Sequence, residues 1–489
     1  MKKSADNKTI QTERTIKNKH RILIFALVLL VIVLSLVIII RLKQHQPIFP
    51  AGESYYNLRM AQALKSDFLL TKDPVQGTLY EPNPYHYLLA LLLFLFPVEI
   101  VSLFLPLILG VVCAALFYKL LLLIRVKQKM AAFSLIILSV TPAFISLFTG
   151  VYMPGFVIFV SLLILVLSLN KRHAYQALCV LLFILLALTS LTGFVITLLI
   201  LLFLCLVLKR KVKVFYVPLI ISGLLIALLT IFSNHTNYTP RMLGFHGFAF
   251  KSILSVLQAT LGFDLFLILL FCSGFVIVWI KAKEKKLFHL PVLLFVILSF
   301  FNIIARAYAS VIITVYCVSA ITYFYNRKWD LKVIRTGTLL LVFCSLVFSV
   351  LNQVNILSAA QPDIEMEKAL LFLRDLDEGR VLTVEENGFL VEFYSGKKVL
   401  LDSNSFMYSD YPVLKKDSDD LFSATRLKEA EPLLEKHDLH YILITPAMKE
   451  ELWEGREQEL WFLVMHSESF TKKYDKQDVE IWEYTSTPV

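Results

Sequence analysis

The sequence predicts an α-helical polytopic membrane domain of about 11 transmembrane helices, followed by a small external α/β domain. Three observations predict it. Of 489 residues, 57% are hydrophobic and only 18% are charged, where a soluble chain would hold roughly a quarter charged. Runs of Leu, Ile, Val and Phe recur from Arg21 to Ile356 and then stop. Basic residues cluster in every second connection between those runs.

The first element is a basic leader, residues 1–21, and the first apolar run follows it. That run is longer than the apolar core of a signal peptide, and Arg41-Leu-Lys-Gln follows where a small-residue cleavage site would stand. It therefore reads as an uncleaved span, near 21–40. With about 20 apolar residues per crossing, the next spans fall near 98–124, 131–148, 155–169, 174–190 and 193–208. Five more are expected near 214–232, 262–280, 288–305, 308–325 and 336–357. Residues 85–96 are apolar but too few to cross, and read as a re-entrant or interfacial helix.

Charge orients the spans. Arg125/Lys127/Lys129, Lys171/Arg172, Lys209/Arg210/Lys211/Lys213, Lys281/Lys283/Lys285/Lys286 and Arg327/Lys328/Lys332/Arg335 occupy alternate connections. The positive-inside rule then makes residues 1–21 a cytoplasmic tail and 22–357 the membrane domain, with a long outer loop at 41–84. Residues 358–489 become an extracytoplasmic domain, so the chain reads as a multi-pass protein of the cell membrane.

The net charge of +10 hides an asymmetry: 28 of the 38 acids lie beyond residue 357, against 15 of the 48 Lys and Arg. Basic charge is thus a topology signal beside the spans, and nucleic acid is not an expected partner. All six cysteines lie in apolar segments and none in the external domain, which excludes a disulfide framework or a Cys-based metal site there.

Within 358–489 the pattern reads as a helix at 363–376, a strand at 380–384, a turn at Glu385-Glu-Asn-Gly388, and strands at 389–394 and 398–401. A helix at 421–436 and strands at 440–445 and 479–484 complete a small α/β domain. The run Lys415-Lys-Asp-Ser-Asp-Asp reads as solvated surface.

Chemistry has few places to sit. Outer-face carboxylates of the membrane part are limited to Glu53, Asp67, Asp73, Glu81, Glu99 and Asp264. Glu53 stands out by its company, Gly52-Glu-Ser-Tyr-Tyr-Asn-Leu-Arg59. In a helix, Glu53, Tyr56 and Asn57 share one face and Arg59 lies near the adjoining turn. A carboxylate at a membrane–water boundary can act as a base on a hydroxyl; the plainer reading is a helix-start charge paired with Arg59. His86, between tyrosines, reads more readily as a structural polar residue than as a ligand. Asn404, Tyr408 and Asp410 are acceptor contacts or ordinary loop polarity. Asn234-His-Thr and Asn237-Tyr-Thr are glycan-acceptor sequons in the outer segment 233–251.

The Gly52–Arg59 stretch follows one span and opens a long outer loop. It resembles the first-loop motif of the oligosaccharyltransferase catalytic subunit, of the glycosyltransferase C superfamily. Asn83-Pro-Tyr-His86 fits the same pattern. Residues 381–391 and 394–404 are similar in layout to that family's Trp-Trp-Asp-Tyr-Gly region and the strand after it. The resemblance covers the plan of nearly the whole chain, through short and degenerate motifs.

It implies a membrane glycosyltransferase moving a sugar from a polyprenyl-phosphate-linked donor to an acceptor on the outer face. Glu53 would be the catalytic residue, and Tyr56, Arg59, His86, Arg306, Glu386 and Asn387 would contact substrate. Arg59 or Arg306 would steady the departing phosphate, with Arg241, His246 and Lys251 as weaker candidates; the competing role for Arg306 is an interfacial anchor beside Tyr308. The partners implied are a lipid-linked sugar donor and the bilayer, with the acceptor (protein, lipid or glycan) unspecified.

Two departures matter. Glu385-Glu386-Asn387 replaces the Trp-Trp-Asp that recognises a sequon hydroxyl, which argues against glycosylation of Asn-X-Ser/Thr. Phe148-Thr-Gly-Val-Tyr-Met-Pro lacks the family's Asp-X-Asp, leaving a divalent cation (Mn or Mg) unsupported and no cofactor required. One alternative is a non-catalytic relative that binds glycan or protein, against which Glu53 and Arg59 argue. A second, a transporter or flippase, is disfavoured by spans nearly free of central charge and by the lack of an internal repeat.

Overall fold

The computed structural model describes residues 2–50, 52–170, 173–208, 265–281, 289–299 and 302–485. The expected span at 214–232, both sequons, Arg241, His246, Lys251 and Asp264 lie outside these residues. The chain forms two compact units. One takes its described residues from 2–40 and from 102–358, the other from 41–101 and 359–485.

The first unit is helical. Among the described residues four helices are long and apolar enough to cross a membrane, by length and composition alone: Arg21–Lys43, Val98–Leu123, Ile303–Asn326 and the one that begins at Lys332. Gln128–Ser139, Met153–Ser168, Tyr175–Thr189, Leu191–Leu206 and Leu265–Lys281 are apolar but shorter. The expected count of eleven spans is therefore not confirmed. Two expected spans are interrupted for identifiable reasons. Residues 131–148 split at Thr141, because Pro142 lacks an N–H and disfavours helical backbone in the residue before it. Residues 288–305 end as Leu290–Leu298, and Asn302 starts the next helix by accepting from the Ala305 N–H at 3.0 Å.

Several buried polar groups of this unit are satisfied locally, as an apolar surrounding favours. The Tyr308 hydroxyl meets Ser161, the Thr197 hydroxyl at 2.7 Å and the Gly193 carbonyl at 2.9 Å, which ties three helices together. At Gly274 the backbones of Leu265–Lys281 and Ile303–Asn326 come so close that a Cβ would stand 2.0 Å from the Tyr316 carbonyl oxygen. Along Lys332–Ala359, Leu340, Leu341, Phe343, Phe348 and Leu351 are all exposed, a surface suited to hydrocarbon tails.

The second unit is built from two distant segments. Its sheet has strand order β1-β2-β4-β3, with β1 Arg380–Leu382, β2 Leu439–Ile444, β3 Phe470–Lys476 and β4 Val479–Tyr484. β1 and β2 are parallel, and the other pairings antiparallel. β3, absent from the sequence reading, is joined to β4 through Gln477 and Asp478, both at positive φ (46° and 64°). That is the hairpin geometry usually marked by Asn-Gly, and Gln477-Asp478 is no such marker. Leu382, Ile442, Ile444, Trp453, Leu460 and Val464 form the core beside the sheet.

Helices differ from expectation in two places. The turn and strand read at 385–394 are one helix, Glu385–Ser395, closed by Gly396 at φ 69°. Gly388 sits inside it, because a Cβ there would stand 2.7 Å from the Cα of Asp402 and 2.8 Å from the Leu401 carbonyl. The Gly signals close backbone approach, not a turn. The helix read at 421–436 is two, Tyr411–Phe422 and Leu427–Lys436, and the run expected as solvated surface lies in the first, with Asp417 and Ser418 buried. Ile364–Arg374 falls as expected, with the Asp363 carboxylate accepting from the Met366 N–H at 2.7 Å.

The earlier segment of the unit supplies helices Gly52–Ser66 and Pro84–Leu95, the second capped by Asn83. Arg41 fastens the two segments. Fully buried, it donates to the carbonyls of Pro47 at 2.7 Å, Phe49 at 3.1 Å, Ala360 at 2.7 Å and Pro362 at 2.7 Å.

Candidate active site

The starts of two helices meet in the second unit. A Cβ on Gly52 would stand 3.4 Å from the Glu386 carbonyl oxygen and 3.4 Å from the Phe389 Cβ, so Gly52–Ser66 begins against the first turns of Glu385–Ser395. Glu53 occupies the first turn of the former and Glu385 and Glu386 that of the latter, where helix dipoles favour negative charge. Glu53 is half-buried, and its charge bears on the neighbouring Tyr85, whose phenol is pushed well up, first by burial and then by that carboxylate.

Tyr56 forms the floor beside Glu53. Its ring stacks on Phe389 with centroids 4.6 Å apart, meets His86 edge-on at 5.6 Å, and lies 5.7 Å from the Arg59 guanidinium. Tyr55, on the opposite side, packs edge-on against Phe49 and Phe393, and burial raises its phenol to about 12. His86 is buried, with Nε2 2.9 Å from the Asn57 Oδ1 and Nδ1 3.0 Å from the Tyr80 hydroxyl. An amide oxygen only accepts, so Nε2 carries a proton, and Tyr80 donates to Nδ1 in the neutral ring. His86 thereby fixes the rotamer of Asn57 on the Glu53 face.

Arg59 faces the other way. Its Nη1 and Nη2 take both oxygens of Asp73 at 2.6 and 2.8 Å, and Nη2 also reaches the Glu392 Oε2 at 2.5 Å. Its acidic partners are thus Asp73 and Glu392; the Glu53–Arg59 pair weighed from the sequence does not form. Burial works to lower the guanidinium's pKa, yet the two carboxylates leave it raised. Gln76 donates to the Glu392 Oε1 at 2.7 Å, and Asp402 is buried against Gly388, one turn before Glu392 on the same helix.

The remaining sequence candidates fall as follows. Glu386 is exposed, whereas Asn387 is buried with its amide toward Thr383 Oγ1 at 3.4 Å and Met448 Sδ at 3.8 Å. Asn404 donates its backbone N–H to Asp402, and Asp410 precedes helix Tyr411–Phe422 on the surface. Arg306 belongs to the first unit, in the first turn of Ile303–Asn326. It is half-buried, with Nε buried and unpartnered. Glu53, Tyr56, Arg59, His86, Glu386 and Asn387 thus gather in one unit and Arg306 in the other. Glu392, Asp402 and Gln76 were missed, because a helix read as a strand hides which face Glu392 occupies.

Among the described residues no group of three or more His, Cys, Asp or Glu is arranged to hold a metal ion. Arg59 fills the space between Asp73 and Glu392 that a cation would need, so these donors do not fit one.

The described residues thus form a largely helical unit, with helices long and apolar enough to cross a membrane, and a loop-built unit with an acidic helix start. No family model matches the chain, and no curated protein matches it in sequence. Solved structures do. An oligosaccharyltransferase of Archaeoglobus fulgidus, tethered to an acceptor peptide containing an NVT sequon, superposes with a TM-score of 0.58 at 13% identity, over 94% of this chain and 74% of that one. AglB of the same organism, in complex with an inhibitory peptide and a dolichol-phosphate, gives 0.58 at 15%, over 95% and 74%. ArnT of Cupriavidus metallidurans, bound to undecaprenyl phosphate, gives 0.52 at 11%, over 95% and 98%. The likeness is one of fold.

Proposed function

We propose that the protein is a membrane glycosyltransferase that moves a sugar from a polyprenyl-phosphate-linked donor to a hydroxyl acceptor on the outer face of the cell membrane. The observation that carries this reading is the position of Glu53, which opens a helix beside a stacked Tyr56–Phe389 pair and a fully hydrogen-bonded His86. Support comes from a fold shared with two enzymes solved with polyprenyl phosphates.

Glu53 accepts the proton of the acceptor hydroxyl as its oxygen bonds to the anomeric carbon. The bond from that carbon to the phosphate oxygen breaks, and the polyprenyl phosphate leaves with the electron pair. Arg306, whose Nε is buried and unpartnered within the first unit, keeps its expected role as a phosphate-pairing residue. Tyr56 offers an aromatic face to a sugar ring, and the exposed Glu386 lines the rim. Arg59 acts at one remove, holding the helix that presents Glu53. No step runs through a metal. Alternating basic connections in the sequence support a cytoplasmic N-terminus and an outer-face Glu53.

A non-catalytic, glycan-binding role is the second reading. It gains from the ion pairing of Arg59, which gives that residue a structural reason to be there. Glu53→Gln separates the two. We expect transfer in reconstituted membranes to fall by about 100-fold or more with expression unchanged. Full turnover would remove Glu53 from the mechanism, and no transfer by the wild type with any polyprenyl-linked donor would favour the binding protein.

A further inference from the structure

Three carboxylates and one guanidinium lie together where helices Gly52–Ser66 and Glu385–Ser395 pack. Asp73, Glu392 and Asp402 are 8%, 1% and 5% exposed, and Arg59 is 6% exposed. Arg59 gives its fork to Asp73 and one further bond to Glu392. The first oxygen of Asp402 is taken by the Asn404 N–H at 2.8 Å and the Ser405 hydroxyl at 2.9 Å. Asp402 lies against the helix face that carries Glu392: a Cβ on Gly388, one turn before Glu392, would stand 2.8 Å from the Asp402 Cβ. Two ionised carboxylates side by side out of water repel each other, and a proton on one of them removes that repulsion.

The charge count agrees. Helix Gly52–Ser66 contributes Arg59, the loop after it Asp73 and the neutral Gln76. Helix Glu385–Ser395 contributes Glu392, and the loop at 402–405 Asp402 with the neutral Asn404 and Ser405. One cation faces three acids. Nor is the approach of Asp402 loose: Gly388, one turn before Glu392, lacks the side chain that would hold its backbone off.

We propose that Glu392 and Asp402 share one buried proton at neutral pH, and that this proton positions helix Gly52–Ser66, and with it Glu53, for the reaction proposed above. Both are positioning residues. With the proton in place the cluster carries a single net negative charge. Without it two negative charges face each other out of water, and Glu392 turns away from Asp402 and loosens the bond that holds Arg59.

The proton affinities point the same way. Burial drives the Glu392 carboxyl well up; Arg59 opposes this, and Asp402 and Asp73 add to it. Asp402 is raised too, first by burial. A carboxyl whose proton is held more tightly folded than unfolded makes the folded state bind more protons, so stability falls as pH rises from the ordinary Glu value of about 4.3 through the folded value.

The test uses full-length protein in nanodiscs. Infrared difference spectra of the wild type at neutral pH should contain a protonated-carboxyl band that disappears in Glu392→Gln, whose amide keeps a donor toward Asp402. Thermal unfolding followed from about pH 5 to about pH 9 should decline with pH in the wild type and be flat in Glu392→Gln and Asp402→Asn. A positioning role adds a third readout: transfer falls several-fold toward alkaline pH in the wild type but not in Glu392→Gln. Absence of the band, or an unchanged unfolding profile in both variants, overturns the shared proton. Matching transfer profiles with the band present overturn the positioning role. The first two arms need no transfer, so failure of the glycosyltransferase reading would leave them standing, and an inactive Glu53→Gln with no band would refute the latch alone.

Discussion

Replacing Arg59 by Ala tests whether the ion pair holds the second unit together. Three short charge-assisted bonds are lost, and Asp73 and Glu392 stay buried without their cation. Breaking a buried pair from one side costs about 3–5 kcal/mol. Two features moderate it here. Glu392 can take up a proton, as burial already favours, and Asp73 keeps the N–H groups of Val75 at 2.9 Å and Gln76 at 3.2 Å. We therefore expect about 3 kcal/mol, near the lower end. For a unit of this size that is a fall of roughly 6–12 °C in unfolding temperature. Tryptophan fluorescence suits the measurement, because Trp453, Trp461 and Trp482 belong to this unit and only Trp279 and Trp329 to the other. Arg59→Lys, which keeps the charge but not the fork, should fall between. An unfolding temperature for Arg59→Ala within about 1 °C of wild type, well under the expected shift, would refute the reasoning and free Arg59 for a phosphate.

Other substitutions give sharp expectations. Glu53→Gln should abolish transfer without moving the unfolding temperature, as expected of a half-exposed group whose part is chemical; a melting shift as large as that of Arg59→Ala would make Glu53 structural. Gly388→Ala forces a methyl against the Asp402 backbone and should cost about 1–3 kcal/mol, read in the same melt, with an unchanged melt refuting the close approach. Arg41→Met keeps the apolar volume but strips donors from four carbonyls, at about 1–3 kcal/mol for each left dry. Limited proteolysis should then cut near 44–50 and 360–363, and equal protection in variant and wild type would refute the clamp. Glu392→Gln, described above, should flatten the alkaline loss of stability.

The apolar runs made the helical unit legible, because a membrane imposes length and composition on any helix within it. Their ends were less so: Pro142 and Asn302 decide where two helices break and start, and hydropathy windows pass over both. In the second unit, Asp363 as a cap and the apolar strands at 439–444 and 479–484 were readable from local chemistry. Glu385–Ser395 was not, since Asn387 and Gly388 mimic a turn and only the distant Asp402 explains the glycine. Glu53, Tyr56 and His86 were legible as a group because they lie near one another in sequence. Glu392 and Asp402 were not, for their meaning comes from Arg59, hundreds of residues earlier.

That separation has a consequence for how the protein is made. Arg59 and Glu392 are 333 residues apart. At roughly 5–20 residues per second, the helix bearing Glu53 leaves the ribosome about 20 s to 1 min before the helix that will hold it. Until then the Arg59 charge has no Glu392 to meet, and the Tyr55 ring has neither Phe393 nor Tyr394. A chain truncated between Ala359 and Glu392 keeps all its apolar runs, and so would insert and accumulate normally, yet would never assemble the ground beneath Glu53. Nonsense and frameshift alleles late in the gene should therefore look healthy by abundance and null by activity.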